Sequence, residues 1–104
     1  MLNEKMIAAL ESKGFKRWTK ETARGTLDRL YINSTLLGLE LEYYKTGNIS
    51  DAYLNGERIS NSRGYSYKSA KTYVDVQTGM VHSDQDFFAE AAQSIVDQVS
   101  KEIA

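Results

Sequence analysis

Cysteine is absent from the 104-residue chain, which excludes a disulfide framework, a thiol nucleophile, iron–sulfur ligation and every cysteine-bearing zinc site. His82 is the single histidine, so multi-histidine metal sites are excluded too. Proline is also absent, and with no low-complexity run there is no segment that reads as a linker. No stretch approaches the roughly 18 consecutive apolar residues that span a bilayer. Met1 to Met6 interleave acid and base with no signal-peptide core behind them; the expected location is therefore the cytoplasm, with no membrane partner. Neither a G-x-G-x-x-G nor a Walker-type loop occurs, so no nucleotide cofactor is expected.

What is present suffices for one domain covering residues 1–104. Hydrophobic residues make up 41% of the chain, charged residues 26% and aromatic residues 11%, enough apolar material for a core. A chain of this size buries roughly 65% of the surface that its unfolded form exposes, which leaves little room for a deep, dry reaction chamber. The net charge of -1 conceals a polarised distribution. From Lys13 to Arg29, Lys13, Lys16, Arg17, Lys20, Arg24 and Arg29 outweigh Glu21 and Asp28, and from Arg58 to Lys71, Arg58, Arg63, Lys68 and Lys71 have no acid between them. From Asp75 to Glu102 the sign inverts, with Lys101 as the lone base. Such a chain either pairs its halves internally or shows two faces of opposite sign to different partners.

Leu2, Met6, Ile7 and Leu10 at helical spacing predict a helix over about Asn3 to Lys13, capped by Asn3 and stopped by Gly14. Phe15 to Lys20 and Leu27 to Ile32 read as a strand hairpin. In Leu39 to Tyr44, Leu39, Leu41 and Tyr43 alternate with Glu40, Glu42 and Tyr44, predicting a strand with a core face and a solvent face. Ile49 to Leu54 and Glu57 to Ile59 flank Asn55-Gly56, a pair suited to the positive φ angles of a type I′ turn. Ser60 to Ala70 carries mixed signals: Ser60 or Asn61 offers a cap, whereas Gly64 costs a helix about 1 kcal/mol. Lys71 to Val76 and Val81 to Ser83 form a second hairpin around Gln77 to Met80. Ser83 or Asp84 then caps a C-terminal helix defined by Phe88, Ala92, Ile95, Val99 and Ile103. The order predicts an α+β fold, a mainly antiparallel sheet with the N-terminal and C-terminal helices packed on one face.

Chemistry-bearing groups are few. His82-Ser83-Asp84 holds the residue types of a hydrolase triad, but consecutive strand residues point to alternate faces and cannot align as base, nucleophile and orienter. Glu40 and Glu42 share a strand face about 7 Å apart, a spacing compatible with paired carboxylates but also with a face charged for solubility. Asp84 and Asp86 lack the further oxygen ligands of a calcium loop. The expectation is a protein that is not an enzyme, with no catalytic, cofactor-binding or metal-binding residue. A richer constellation is aromatic and basic. Arg58, Arg63, Tyr65, Tyr67, Lys68, Lys71 and Tyr73 form one set, and Lys16, Arg17, Trp18, Lys20, Arg29 and Tyr31 another. From these the expected binding surface comprises Arg17, Trp18, Arg58, Arg63, Tyr65, Tyr67, Lys68 and Lys71. Such residues carry interface energy in protein complexes, and they also stack on bases and follow phosphates in a single-strand path. A pI near 5.8 sets a protein partner ahead of nucleic acid. Asp84, Asp86, Glu90 and Asp97 form a second candidate surface, suited to a basic nucleic-acid groove.

GFKRWTK (Gly14 to Lys20), DRLYIN (Asp28 to Asn33) and AKTYVDVQTGMVHSD (Ala70 to Asp84) resemble segments of the small uncharacterised proteins carried by bacterial phages and mobile elements, a pool that includes anti-CRISPR inhibitors. The resemblance spans about a third of the chain. It implies a compact, non-enzymatic inhibitor that occupies the surface of a host effector, often one evolved for nucleic acid. Many such inhibitors are strongly acidic mimics of nucleic acid, whereas this chain is nearly neutral.

Overall fold

The computed structural model describes residues 1–47, 49–60 and 71–104. Helix α1 (Glu4–Ser12) begins where expected, since the Asn3 carboxamide oxygen accepts a hydrogen bond from the Met6 N–H at 2.8 Å. It ends at Gly14, whose φ of 106° lies where a side chain is strained and whose Cα faces Leu36 closely enough that a Cβ would meet it at 2.8 Å. Strands β1 (Lys16–Thr22) and β2 (Gly25–Ile32) pair as an antiparallel hairpin with only Ala23 and Arg24 between them. A 3-10 turn at Ser34–Leu36 leads to β3 (Leu39–Tyr43), β4 (Ile49–Leu54) and β5 (Glu57–Ser60). Asn55 and Gly56 join β4 to β5 with φ of 53° and 85°, the conformation predicted for this dipeptide. Strands β6 (Thr72–Asp75) and β7 (Val81–Ser83) form the last hairpin before helix α2 (Asp86–Glu102).

The single sheet of the sequence expectation is resolved into two antiparallel sheets, one ordered β1-β2-β6-β7 and one ordered β3-β4-β5. In the first, β6 docks on β2 across some forty residues of chain, pairing Leu30 with Val74 and Tyr31 with Tyr73. One hydrophobic core runs through both sheets and both helices, and includes Ile7, Leu10, Leu30, Val74, Ile49, Ala52, Phe87 and Phe88. The result is the predicted α+β domain, both helices contributing their apolar sides to that core.

Two local expectations are corrected. Leu39 and Leu41 are only half-buried and Tyr43 is exposed, because among the described residues β3 is an edge strand and its register breaks between Glu42 and Tyr43. The cap of α2 is Gln85, which makes no side-chain cap bond. Ser83 and Asp84 do not serve because the ladder has already taken them. The Ser83 and Thr72 hydroxyls lie 2.8 Å apart, and the Asp84 carboxylate accepts the Lys71 N–H at 3.2 Å. No helix among the described residues is long and apolar enough to cross a membrane.

Candidate binding face

Partners across an antiparallel ladder share a face, so the register of the four-stranded sheet sorts its residues into two sets. Arg17, Thr19, Asp28, Leu30, Ile32, Thr72 and Val74 face inward; Lys16, Trp18, Lys20, Arg29, Tyr31, Tyr73, Asp75 and His82 face outward. The outward set forms an aromatic row. Tyr73 stacks on His82 with ring centroids 5.0 Å apart and planes 20° from parallel. Tyr31 leans on the other side of Tyr73 at 5.4 Å, and Trp18 meets Tyr31 edge to face at 6.4 Å. The Arg29 guanidinium carbon sits 4.3 Å from the Tyr73 ring centroid, a cation–π contact in the middle of the row. The Arg29 pKa is raised, foremost by the Tyr31 hydroxyl, against the opposing effect of burial, with Tyr73 and Asp75 adding to the rise. Its Nε is buried with no hydrogen-bond partner, while Trp18 remains 44% exposed.

Of the residues expected on the binding surface, Trp18 belongs to this row and its neighbour Arg17 does not. Arg17 points to the opposite face, where its Nε and one terminal nitrogen donate to the two carboxylate oxygens of Asp28 at 3.0 and 2.6 Å. Thr19 donates to the same carboxylate at 2.9 Å, and Glu4 of α1 approaches the other side of the guanidinium at 3.4 Å. Asp28 is 6% exposed, and the hydrogen bond from Arg17 holds its carboxyl below the ordinary 3.8 although burial pushes the other way. Arg58 lies in the other sheet, ion-paired to Asp51 at 2.8 Å. Lys71 is exposed just before β6. Arg63, Tyr65, Tyr67 and Lys68 lie outside the described residues.

The acidic set also divides. Asp84 is tied to Lys71 at the end of the β6–β7 ladder, its N–H donating to the Lys71 carbonyl at 3.2 Å. Asp86 opens α2, where a carboxylate suits the helix dipole. Glu90 and Asp97 lie with Gln93, Ser94, Gln98 and Lys101 along a shallow groove on the helix exterior. Because α2 packs its apolar side into the core, this acidic strip and the cationic aromatic row lie on opposite sides of the molecule. Glu40 and Glu42 are exposed on β3, opposite Tyr53 and Asp51. Among the described residues no cluster of three or more His, Asp or Glu is placed to hold a metal ion.

Arg29, Tyr31 and Tyr73 stood in the aromatic and basic sets of the sequence without entering the expected binding surface, and His82 stood in neither set. Their signal was the alternation with Leu30, Ile32 and Val74, which marks them as outward on their own strands. What the alternation does not carry is the order of the strands. Comparison with family models, with curated proteins and with solved structures finds no match for this chain.

Proposed function

We propose that this chain is a small protein-binding module that acts through the outer face of its four-stranded sheet and performs no chemistry of its own. The observation that carries the reading is the way the rings of Trp18, Tyr31, Tyr73 and His82 pack on one another. The rings lie in contact with one another, so the surface offered outward is a continuous amphipathic patch around Arg29. Tyr, Trp and Arg in one desolvatable cluster are the residue types on which protein interfaces concentrate their energy. A single-strand path would instead present separated ring faces for bases and a line of free cations for phosphates. Among the described residues Arg17 and Arg58 are committed to carboxylates, leaving Lys16 and Lys20 beside the row. The resemblance to phage and mobile-element proteins extends the reading to a cytoplasmic inhibitor of a bacterial nucleic-acid-targeting defence complex.

The test combines capture from a bacterial lysate with fluorescence anisotropy of labelled oligonucleotides. The reading expects a discrete protein partner that the unmodified chain retains and a Trp18→Ala/Tyr73→Ala double variant loses. It also expects no oligonucleotide binding at low salt, where phosphate contacts are least screened. Oligonucleotide binding that weakens steeply with salt and depends on Lys16 and Lys20 would replace it with the single-strand reading.

A further inference from the structure

Strand β1 is an edge of its sheet: it pairs with β2 alone among the described residues, and all seven of its residues are exposed. Edge strands are commonly blunted by a bulge, a proline or an inward charge. β1 has an unbroken register and no proline, and its lysines, Lys16 and Lys20, lie on the outer face. Its inward charges are Arg17, neutralised by Asp28, and Glu21, which accepts the Thr26 hydroxyl at 2.8 Å. Backbone groups alternate in direction along a strand. The Val76 N–H donates to the Asp28 carbonyl at 2.9 Å, so Asp28 turns its backbone toward β6 and away from its β1 partner Thr19. Thr19, and with it Arg17 and Glu21, therefore directs its own N–H and C=O out from the free edge.

We propose that two copies of the chain associate edge to edge through β1, antiparallel and centred on Thr19, to make one continuous eight-stranded sheet. The sequence of β1 is self-complementary in this register. Arg17 falls opposite Glu21 of the second copy on the inner face, and Trp18 opposite Lys20 of the second copy on the outer face, each contact occurring twice. The first sets opposite charges together, with Arg17 also holding Asp28 and Glu4 of its own chain, and the second is a cation–π contact. Thr19 meets its own copy, and Lys16 meets Thr22. Sliding the register so that it centres on Trp18 sets Lys16 against Lys20, and centring on Lys20 sets that lysine against itself. Only the Thr19-centred register uses all seven residues without opposing like charges. The two-fold axis stands perpendicular to the sheet, so the two aromatic rows come to lie on one side and the two acidic helices on the other.

The full chain, studied from about 5 µM to about 1 mM, tests this by sedimentation equilibrium and by residue-resolved amide exchange. The expected result is a monomer that becomes a dimer as concentration rises. With it, the amides of Arg17, Thr19 and Glu21 gain protection, while those of Lys16, Trp18 and Lys20, already bonded to β2, do not change. Glu21→Arg, which sets arginine against Arg17 of the second copy, is expected to weaken the dimer about tenfold. A monomer at every concentration, a dimer whose odd-numbered β1 amides stay unprotected, or a dimer indifferent to Glu21→Arg would each overturn the proposal. Glu21 lies off the outer face, so this result is independent of whether the aromatic row binds a partner.

Discussion

The two faces of the four-stranded sheet draw on the same four strands, and even on adjacent residues, yet they end in different states. On the inner face every charge is answered: Arg17 is forked onto Asp28, Thr19 donates to the same carboxylate, and Leu30, Ile32 and Val74 close against the helices. On the outer face Asp75 accepts the Gln77 and Thr78 N–H groups, but the rings and Arg29 answer one another in a half-exposed row with a buried guanidinium nitrogen left unpaired. A polar group satisfied inside the fold contributes to its stability, whereas an exposed aromatic cluster is the kind of surface on which the proposed partner binding would draw. Composition does not separate the two cases, since both faces hold arginine beside other functional side chains. Register does.

That contrast breaks down if inner-face substitutions prove mild or outer-face ones prove severe. The largest effect is expected at Phe88, fully buried and in edge contact with Phe87 at 4.6 Å. Phe88→Ala should cost about 4 kcal/mol of unfolding free energy, measured by urea denaturation, with the cavity left behind as the cause. Arg17→Ala comes next, lowering the melting temperature by roughly 10 °C because the buried Asp28 carboxylate is left with Thr19 alone. Its acid dependence sharpens the point. The folded-state pKa of Asp28 lies below the ordinary 3.8, so the stabilisation by the Arg17 pair is complete above that value and is lost as pH falls through the folded-state pKa. The gap between the native chain and Arg17→Ala should therefore narrow below about pH 4 in thermal melts.

On the outer face the balance between stability and binding is expected to reverse. Tyr73→Ala removes the ring shared by Tyr31, His82 and Arg29, and should cost about 1–2 kcal/mol by urea denaturation, the sum of modest aromatic and cation–π terms. Trp18→Ala should cost least, within about 1 kcal/mol, because Trp18 sits at the exposed end of the row. The same substitution should lower affinity for a captured partner at least about tenfold, measured by calorimetry. A Trp18→Ala variant with full affinity would place the contact elsewhere, the acidic strip of α2 being the next candidate.

Much of the fold was legible because its signals are local. Asn3 caps α1, Asn55-Gly56 turns β4 into β5, and period-two alternation marks Leu30, Ile32 and Val74 as inward on their strands, all within a few residues of chain. The site was legible only in part. Trp18 was singled out with Arg17, its neighbour in sequence, yet consecutive strand residues face opposite ways, and Arg17 spends its charge on Asp28. Arg58 was grouped with Lys71 by sequence proximity, although Arg58 lies on β5 of the three-stranded sheet and Lys71 precedes β6 of the four-stranded one.

The amino-acid order by itself determined the helices, most of the strands, the hairpin turns and the inward or outward sense of residues along β2 and β6. These follow from backbone propensity, capping and periodicity, which act over a turn or a few residues. The tertiary structure alone decided that the strands divide into two sheets and that β6 lies against β2. It also decided that Tyr31, Tyr73 and His82 meet in one row while Arg17 turns away to Asp28. Those outcomes depend on closing a shared core across some forty residues of chain, where no local signal specifies which strand becomes which neighbour.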